Sequence, residues 1–191
     1  MRHDGTVPLT ETDLAHLRRC VELAREALDD GDEPFGSVLV SAAGEVLLED
    51  RNRVKGGDHT RHPELAIAQW AARRLTVAER ARATVYTSGE HCPMCAAAHG
   101  WVGLGRIVVA VRSAQLAGWL ASWGEPAPAV APLAVEDVVP GALVEGPVPE
   151  LAALMEPLHR ARVERDRARV ERDRAAAGRT GADTDRSPDI S

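Results

Sequence analysis

Thr87-Ser88-Gly89-Glu90-His91-Cys92-Pro93-Met94-Cys95 is the stretch that decides how this chain is read, because it answers His62-Pro63-Glu64 about thirty residues upstream. One imidazole and two thiols hold a zinc ion at three corners of a tetrahedron and leave the fourth for water. A closed structural site needs a fourth protein ligand at matching spacing, and none is evident. Glu64 lies two residues from His62, close to the metal without having to bind it, where a carboxylate can shuttle protons. A lone C-x-x-C fits a redox pair or a fragment of a structural zinc site. Joined to H-x-E, with strands and helices in the right places, it specifies a catalytic metal, with His62, Cys92 and Cys95 as ligands.

Those strands and helices can be read outward from the motif. Pro63 suits the first turn of a helix, where its missing N–H costs nothing, and Leu65, Ala66, Ile67, Ala68, Trp70 and Ala71 continue it with an apolar face. Cys92 opens a second helix, Pro93 to about Trp101, whose N-terminus favours a thiolate. Ala83 to Thr87 reads as the strand leading into it, and Arg106 to Val111 as a short buried strand behind it. Upstream, residues 10–29 predict an amphipathic helix capped by Thr10 or Thr12, and Phe35–Val40 and Glu45–Leu48 a hairpin about Gly44. Downstream come a helix around Ala114 to Trp123, a proline-rich loop, a fifth strand near Leu133 to Val139, and a helix over 148–175. The order is a leading helix followed by β-β-α-β-α-β-α-β. It predicts an α/β protein, a layered sandwich with ligands at strand ends and helix starts.

At 191 residues the chain fits one domain and a tail. No apolar run approaches the ~20 residues of a membrane span, and Met1 to Thr10 has no apolar core resembling a secretory signal. Of the three cysteines, two sit in the motif and Cys20 stands alone, which argues for a reducing compartment, the cytoplasm. The net charge of −6 and an aromatic content of 3% favour a small substrate over nucleic acid, whose binders present basic grooves and stacking rings.

H-x-E followed by C-x-x-C is the signature of the zinc deaminases, and the chain resembles the cytidine deaminase-like superfamily, in particular its nucleobase and tRNA-adenosine deaminase branch. The resemblance covers roughly residues 10 to 145: E-P-F-G-S-V-L-V (33–40), N-R-V (52–54), D-H-T-R-H-P-E (58–64), E-H-C-P-M-C (90–95) and G-R-I-V-V-A (105–110). It implies a three-layer α/β/α sandwich with a five-stranded mixed sheet, a Zn2+ cofactor, a homodimer, and hydrolytic removal of an exocyclic amine from a small aminated N-heterocycle. Guanine, cytosine, or an azacytosine or triazine analogue fits that description. Glu64 becomes the proton shuttle and Asn52 a contact to the substrate. Phe35, Pro63, Glu90 and His91 are the further residues expected beside it, Glu90 chiefly as a brace for its loop. Trp101, six residues beyond Cys95, resembles the bacterial guanine deaminase pattern. A tRNA adenosine deaminase and a non-catalytic zinc protein on the same scaffold remain the alternatives.

Two departures from that resemblance fall at the site. Relatives place alanine or glycine between the histidine and the glutamate, with a backbone N–H expected to reach an oxygen of the base, whereas Pro63 has none to donate. His91 stands where proline is usual. It and His59 are expected to lie behind the ligands or on the surface rather than on the metal. The resulting organisation is a zinc-dependent deaminase domain (1–158), an Arg/Glu/Asp-rich helical extension (159–177) and a disordered tail (178–191). In the extension, Ala161-Arg162-Val163-Glu164-Arg165-Asp166-Arg167 repeats at 168–174, which reads as a solvated helix with intrahelical ion pairs.

Overall fold

A computed structural model describes residues 8–182. Helix α1 (Glu11–Asp29) starts at a capping box in which the Thr10 hydroxyl accepts from the Asp13 N–H while the Asp13 carboxylate accepts from the Thr10 N–H. Strands β1 (Gly36–Val40) and β2 (Val46–Arg51) form the expected hairpin. After a single 3-10 turn come α2 (Pro63–Arg74), α3 (Val77–Arg82), β3 (Thr84–Thr87), α4 (Pro93–Val102), β4 (Arg106–Val109), α5 (Ser113–Ser122), α6 (Val135–Val138), β5 (Val144–Glu145) and α7 (Pro149–Ala182).

The five strands lie in the order β2-β1-β3-β4-β5. β1 is antiparallel to both β2 and β3, whereas β3, β4 and β5 run parallel. Alternation along each strand divides the core in two. Val38, Val40, Tyr86 and Val108 face Leu17, Cys20, Val21 and Ala24 of α1 and Leu151, Ala152 and Met155 of α7. Leu39 and Val85 face Ile67, Ala68 and Ala71 of α2. Ile107 and Val109 meet Ala96 of α4 and Val135 of α6. Helices therefore cover both faces of a mixed sheet, as expected. Gly36 is required where β1 passes α1, because a Cβ there would lie 2.4 Å from Leu23 Cβ and 2.6 Å from the Cys20 carbonyl. Gly103 ends α4 at φ 72°, the left-handed conformation that glycine adopts freely.

Three expectations need correction. Leu133 to Val139 is not the fifth strand: α6 lies there, and β5 is only Val144–Glu145, paired to Ile107 and Val108. The valines suggest a strand, but the Asp137 carboxylate accepts from the Ala134 N–H and the Glu90 carboxylate from the Val135 N–H, which fixes a helical start. The short helix α3 adds an element to the expected order, started by the capping box Thr76-Val77-Ala78-Glu79. The 159–177 segment is helical as expected, but its first half is packed rather than solvated. It continues α7, which runs unbroken past residue 158 to Ala182, with Val163 buried. Arg165 donates to the Leu28 and Asp32 carbonyls at 3.4 and 2.9 Å. Arg162 and Asp166 do form an intrahelical pair, and residues 171–177 are exposed. Of the expected tail, 178–182 is helical and 183–191 lies outside the described residues.

Candidate metal and substrate site

His62 is the N-cap of α2 and Cys92 the N-cap of α4, each followed by a proline in the first helical position. The helices lie side by side on one face of the sheet, so their N-termini converge at the ends of β1 and β3. His62 has the extended backbone that a following proline enforces. Its Nδ1 lies 3.5 Å from Cys92 Sγ and 3.6 Å from Cys95 Sγ, and the two sulfurs are 3.5 Å apart. Zinc bonded to these atoms at ordinary distances places them about 3.5–3.8 Å from one another, so the triad fits the ion. Among the described residues it is the one group of three or more histidine, cysteine or carboxylate side chains that could hold a metal.

The thiols are already polarised for that role. The Cys95 thiol donating to it, with His62 beside it, brings Cys92 down to about 4 against the opposing effect of burial. Cys95 is driven upward by the Cys92 thiolate and by its own burial. Hydrogen bonding to Cys92 raises His62 against its burial. Two thiols and an imidazole sharing protons in this way release them when a cation takes their place.

Glu64 is buried in the first turn of α2, and its Oε1 lies 2.9 Å from Ser37 Oγ and 2.8 Å from Thr87 Oγ1. Burial raises its pKa, opposed by the charge of His62, its own backbone N–H and the two hydroxyls. Ser37 sits in the fully buried strand β1 and Thr87 at the end of β3, so the sheet itself fixes where this carboxylate points.

A cavity of about 540 Å3 opens onto the triad and is lined there by Phe35, His62, Glu64, Gly89, Glu90 and Cys92. Its far wall is Leu116, Ala117, Leu120 and Ala121 of α5 and the segment from Glu125 to Pro132. Phe35, His62, Glu64, Glu90 and Cys92 are thus brought together, with Cys95 buried behind Cys92. Glu90 braces its loop, accepting from the Ser113 N–H at 2.7 Å and the Val135 N–H at 3.0 Å and pairing with Arg112 at 3.1 Å. Asn52 is buried, with Oδ1 accepting from the Glu33 and Val54 N–H groups, while its Nδ2 has no hydrogen-bond partner. Pro63 is buried at the helix start.

Four expected neighbours of the substrate, Asn52, Pro63, His91 and Trp101, do not line the cavity. His91 packs against His99, ring centroids 5.3 Å apart, and is fully buried without lining the cavity. Trp101 is 91% exposed at the C-terminal end of α4. Six residues of helix carry it about 9 Å from the ligand-bearing turn, too far along the axis to border the cavity. Trp119 packs in the α1 core beside His159, and Trp123 lies 4.9 Å beneath the Arg160 guanidinium. Sequence reasoning missed Ser37, Thr87 and the α5 wall. A serine inside an otherwise apolar strand was a signal for the first, and the i, i+1, i+4, i+5 spacing of Leu116, Ala117, Leu120 and Ala121 marked a helix face without saying what it faces.

A family model, the cytidine and deoxycytidylate deaminase zinc-binding region, matches residues 10–111. A probable cytosine deaminase of Schizosaccharomyces pombe is 33% identical over 112 residues, which are 59% of this chain and 68% of that protein. The guanine deaminase of Bacillus subtilis is 37% identical over 87 residues, 44% of this chain and 55% of that one. This chain therefore spans about two thirds of the first relative and about half of the second. The structure of guanine deaminase from Nitrosomonas europaea superposes with a TM-score of 0.57 over 84% of this chain and 88% of that one at 21% identity, a likeness of fold.

Proposed function

The chain belongs to the cytidine and deoxycytidylate deaminase family, and on that premise we propose that it is a zinc-dependent hydrolase that removes an exocyclic amine, as ammonia, from a small aminated N-heterocycle. A free base such as guanine or cytosine, or an azacytosine or triazine analogue, is the substrate class. The observation that carries the reading is Glu64: a buried carboxylate held by two hydroxyls, opening into the same cavity as the His62–Cys92–Cys95 triad.

Zinc held by the triad supplies a Lewis acid that makes water nucleophilic near neutral pH. The remaining work falls to the protein. Glu64, its pKa raised by burial, takes the proton of the attacking water and delivers one to the ring nitrogen beside the amine-bearing carbon. A further transfer to the amine lets it depart as ammonia. Ser37 and Thr87 keep the carboxylate aimed during these transfers. Phe35 supplies a ring face against which a planar base can rest. Asn52 Nδ2, buried and unpartnered, is a donor for a carbonyl of the base if the loop bearing it closes on substrate.

Pro63 shapes the choice of substrate. With no N–H at this position, an oxygen on the base receives no backbone donor from the first turn of α2, so the substrate either lacks an oxygen there or satisfies it otherwise. A tRNA substrate is disfavoured by the net charge of −6 and by Arg112, the cavity's arginine, which is paired to Glu90 and Glu136. We place the protein in the cytoplasm as a homodimer.

The test is ammonia release by the purified, zinc-loaded protein over free bases, their nucleosides, triazines and tRNA, with Glu64→Ala as control. Release from a small heterocycle that vanishes in the control is expected. Zinc bound without release from any compound would assign the fold a binding role instead.

A further inference from the structure

The cavity is larger, and far more apolar, than deamination of a bare ring requires. A free nucleobase displaces on the order of five waters at about 30 Å3 each, whereas the cavity holds about 540 Å3. Its polar chemistry is concentrated at the metal end. The other end is built from Leu116, Ala117, Leu120 and Ala121 on one face of α5, closed by the run Pro126-Ala127-Pro128 and by Val130 and Pro132.

The charged groups of this outer part are already engaged. Arg112 Nη1 bonds to Glu90 and Glu136, and its Nη2 to the Val144 carbonyl at 3.2 Å. Glu125 is paired with Arg167 at 2.9 Å. A phosphate entering here finds no uncommitted cation among the described lining residues, and a ribose meets mostly methyl, methylene and pyrrolidine surface. Proline and alanine lose almost no side-chain entropy on ordering, so this exposed wall gives up little on receiving an apolar occupant.

We propose that the substrate is an aminated N-heterocycle bearing an apolar alkyl or aryl substituent on the side of the ring away from the amine-bearing carbon. The substituent is received by α5 and residues 125–132. This rests on the deaminase reading and narrows its substrate class. Each methylene taken from water into such a wall is worth a factor of about four, so a four-carbon chain has the capacity to raise kcat/KM well beyond tenfold.

The experiment compares ammonia release by the zinc-loaded full-length protein from cytosine and guanine, from their N-butyl and N-benzyl derivatives, and from cytidine and guanosine, whose sugar is of similar bulk but polar. The alkylated and benzylated bases are expected to exceed both the parent base and the nucleoside in kcat/KM by at least tenfold. Ala121→Trp, which fills the outer compartment, is expected to reduce the ratio of substituted to parent base by at least tenfold. Ala117→Trp serves the same purpose should the first variant fail to fold. Parent bases or nucleosides turned over as well as, or better than, the substituted ones would overturn the proposal while leaving the deaminase reading intact. If no compound releases ammonia, that reading fails, and calorimetric titration decides the compartment separately. N-benzyl bases binding at least tenfold tighter than their parents would sustain it, and equal or absent binding would overturn it.

Discussion

Glu64 illustrates how surroundings change the chemistry open to a single side chain. In water a glutamate is ionised near neutrality and a poor proton donor; burial raises the proton affinity of Glu64, against the opposing pull of His62 and the Ser37 and Thr87 hydroxyls. Replacing it by glutamine keeps the shape and removes the exchangeable acid. Turnover is expected to fall by about 10²–10⁴-fold, with zinc content by elemental analysis unchanged. Ser37→Ala tests the support. The hydroxyl favours the charged carboxylate, so its loss raises the Glu64 pKa further and moves the acidic limb of the pH–rate profile to higher pH. An unmoved limb would show that the Ser37 hydroxyl does not contribute to the proton affinity. Pro63→Ala restores a backbone donor and is expected to shift preference toward bases carrying an oxygen at the matching position, read as a changed ratio of kcat/KM values. The His62–Cys92–Cys95 cluster and the nearby Glu64 were legible in the sequence because fixed spacing and helix starts bring them together. His91 and Trp101 were not, because only the packing of α4 decides which side of that helix meets the cavity.

At the scale of elements, the sheet and the helices that carry the site follow from local pattern, while three features depend on partners distant in sequence. The strand β5 is two residues long and exists through its pairing with β4, so no local signal marks it. Helix α1 is tied to the sheet by Asp13, whose carboxylate accepts from the Tyr86 hydroxyl at 2.7 Å and from Arg106 at 2.6 Å. Burial opposes ionisation of Asp13, but Arg106, Thr10 and Tyr86 outweigh it and hold the carboxyl well below the usual range. The folded state thus binds this proton less readily than the unfolded chain. The stabilisation is complete above the ordinary carboxylate pKa near 3.9 and is lost as pH falls below it toward the folded value. Asp13→Asn is expected to cost about 2–3 kcal/mol at pH 7 and much less near pH 2, measured by urea unfolding at both. The other long-range element is α7. Truncation after Leu158 removes buried His159 and Val163 and the Arg165 bonds to the end of α1, and is expected to cost at least about 3 kcal/mol. Truncation after Arg174 removes, among the described side chains, only the exposed ones of residues 175–177, and should change stability by no more than about 0.5 kcal/mol. Comparable losses from both would mean that the segment beyond the repeat contributes to the fold.

For the whole molecule, pH couples stability to three histidines the chemistry does not use. His91, His99 and His159 are buried on different sides of the sheet, and each is held toward the neutral form chiefly by burial, His159 down to about 3. His159 lies between Phe35 and Trp119, ring centroids 5.1 and 6.3 Å away, with its Nε2 unpartnered; Arg162 is the nearby charge and also opposes protonation. His99 spends Nε2 on the Gly105 carbonyl at 3.0 Å and leaves Nδ1 unpartnered. The unfolded chain protonates all three near pH 6.5, the folded chain later. Their contribution is therefore complete above that pH and falls away below it, by up to about 1.4 kcal/mol per pH unit for each histidine. Urea unfolding at pH 7, 6 and 5 should show a steep loss of stability well above the range in which Asp13 titrates. His159→Leu should make that loss shallower by about one proton and, by removing an unpartnered buried nitrogen, leave the variant more stable than the parent at pH 5. Zinc occupancy must be measured at each pH, because protonation of the thiolates releases metal and steepens the curve independently. At constant occupancy, a stability that stays flat from pH 7 to 5 would mean that these rings are reached by solvent, and that α7 does not seal the floor beneath Phe35.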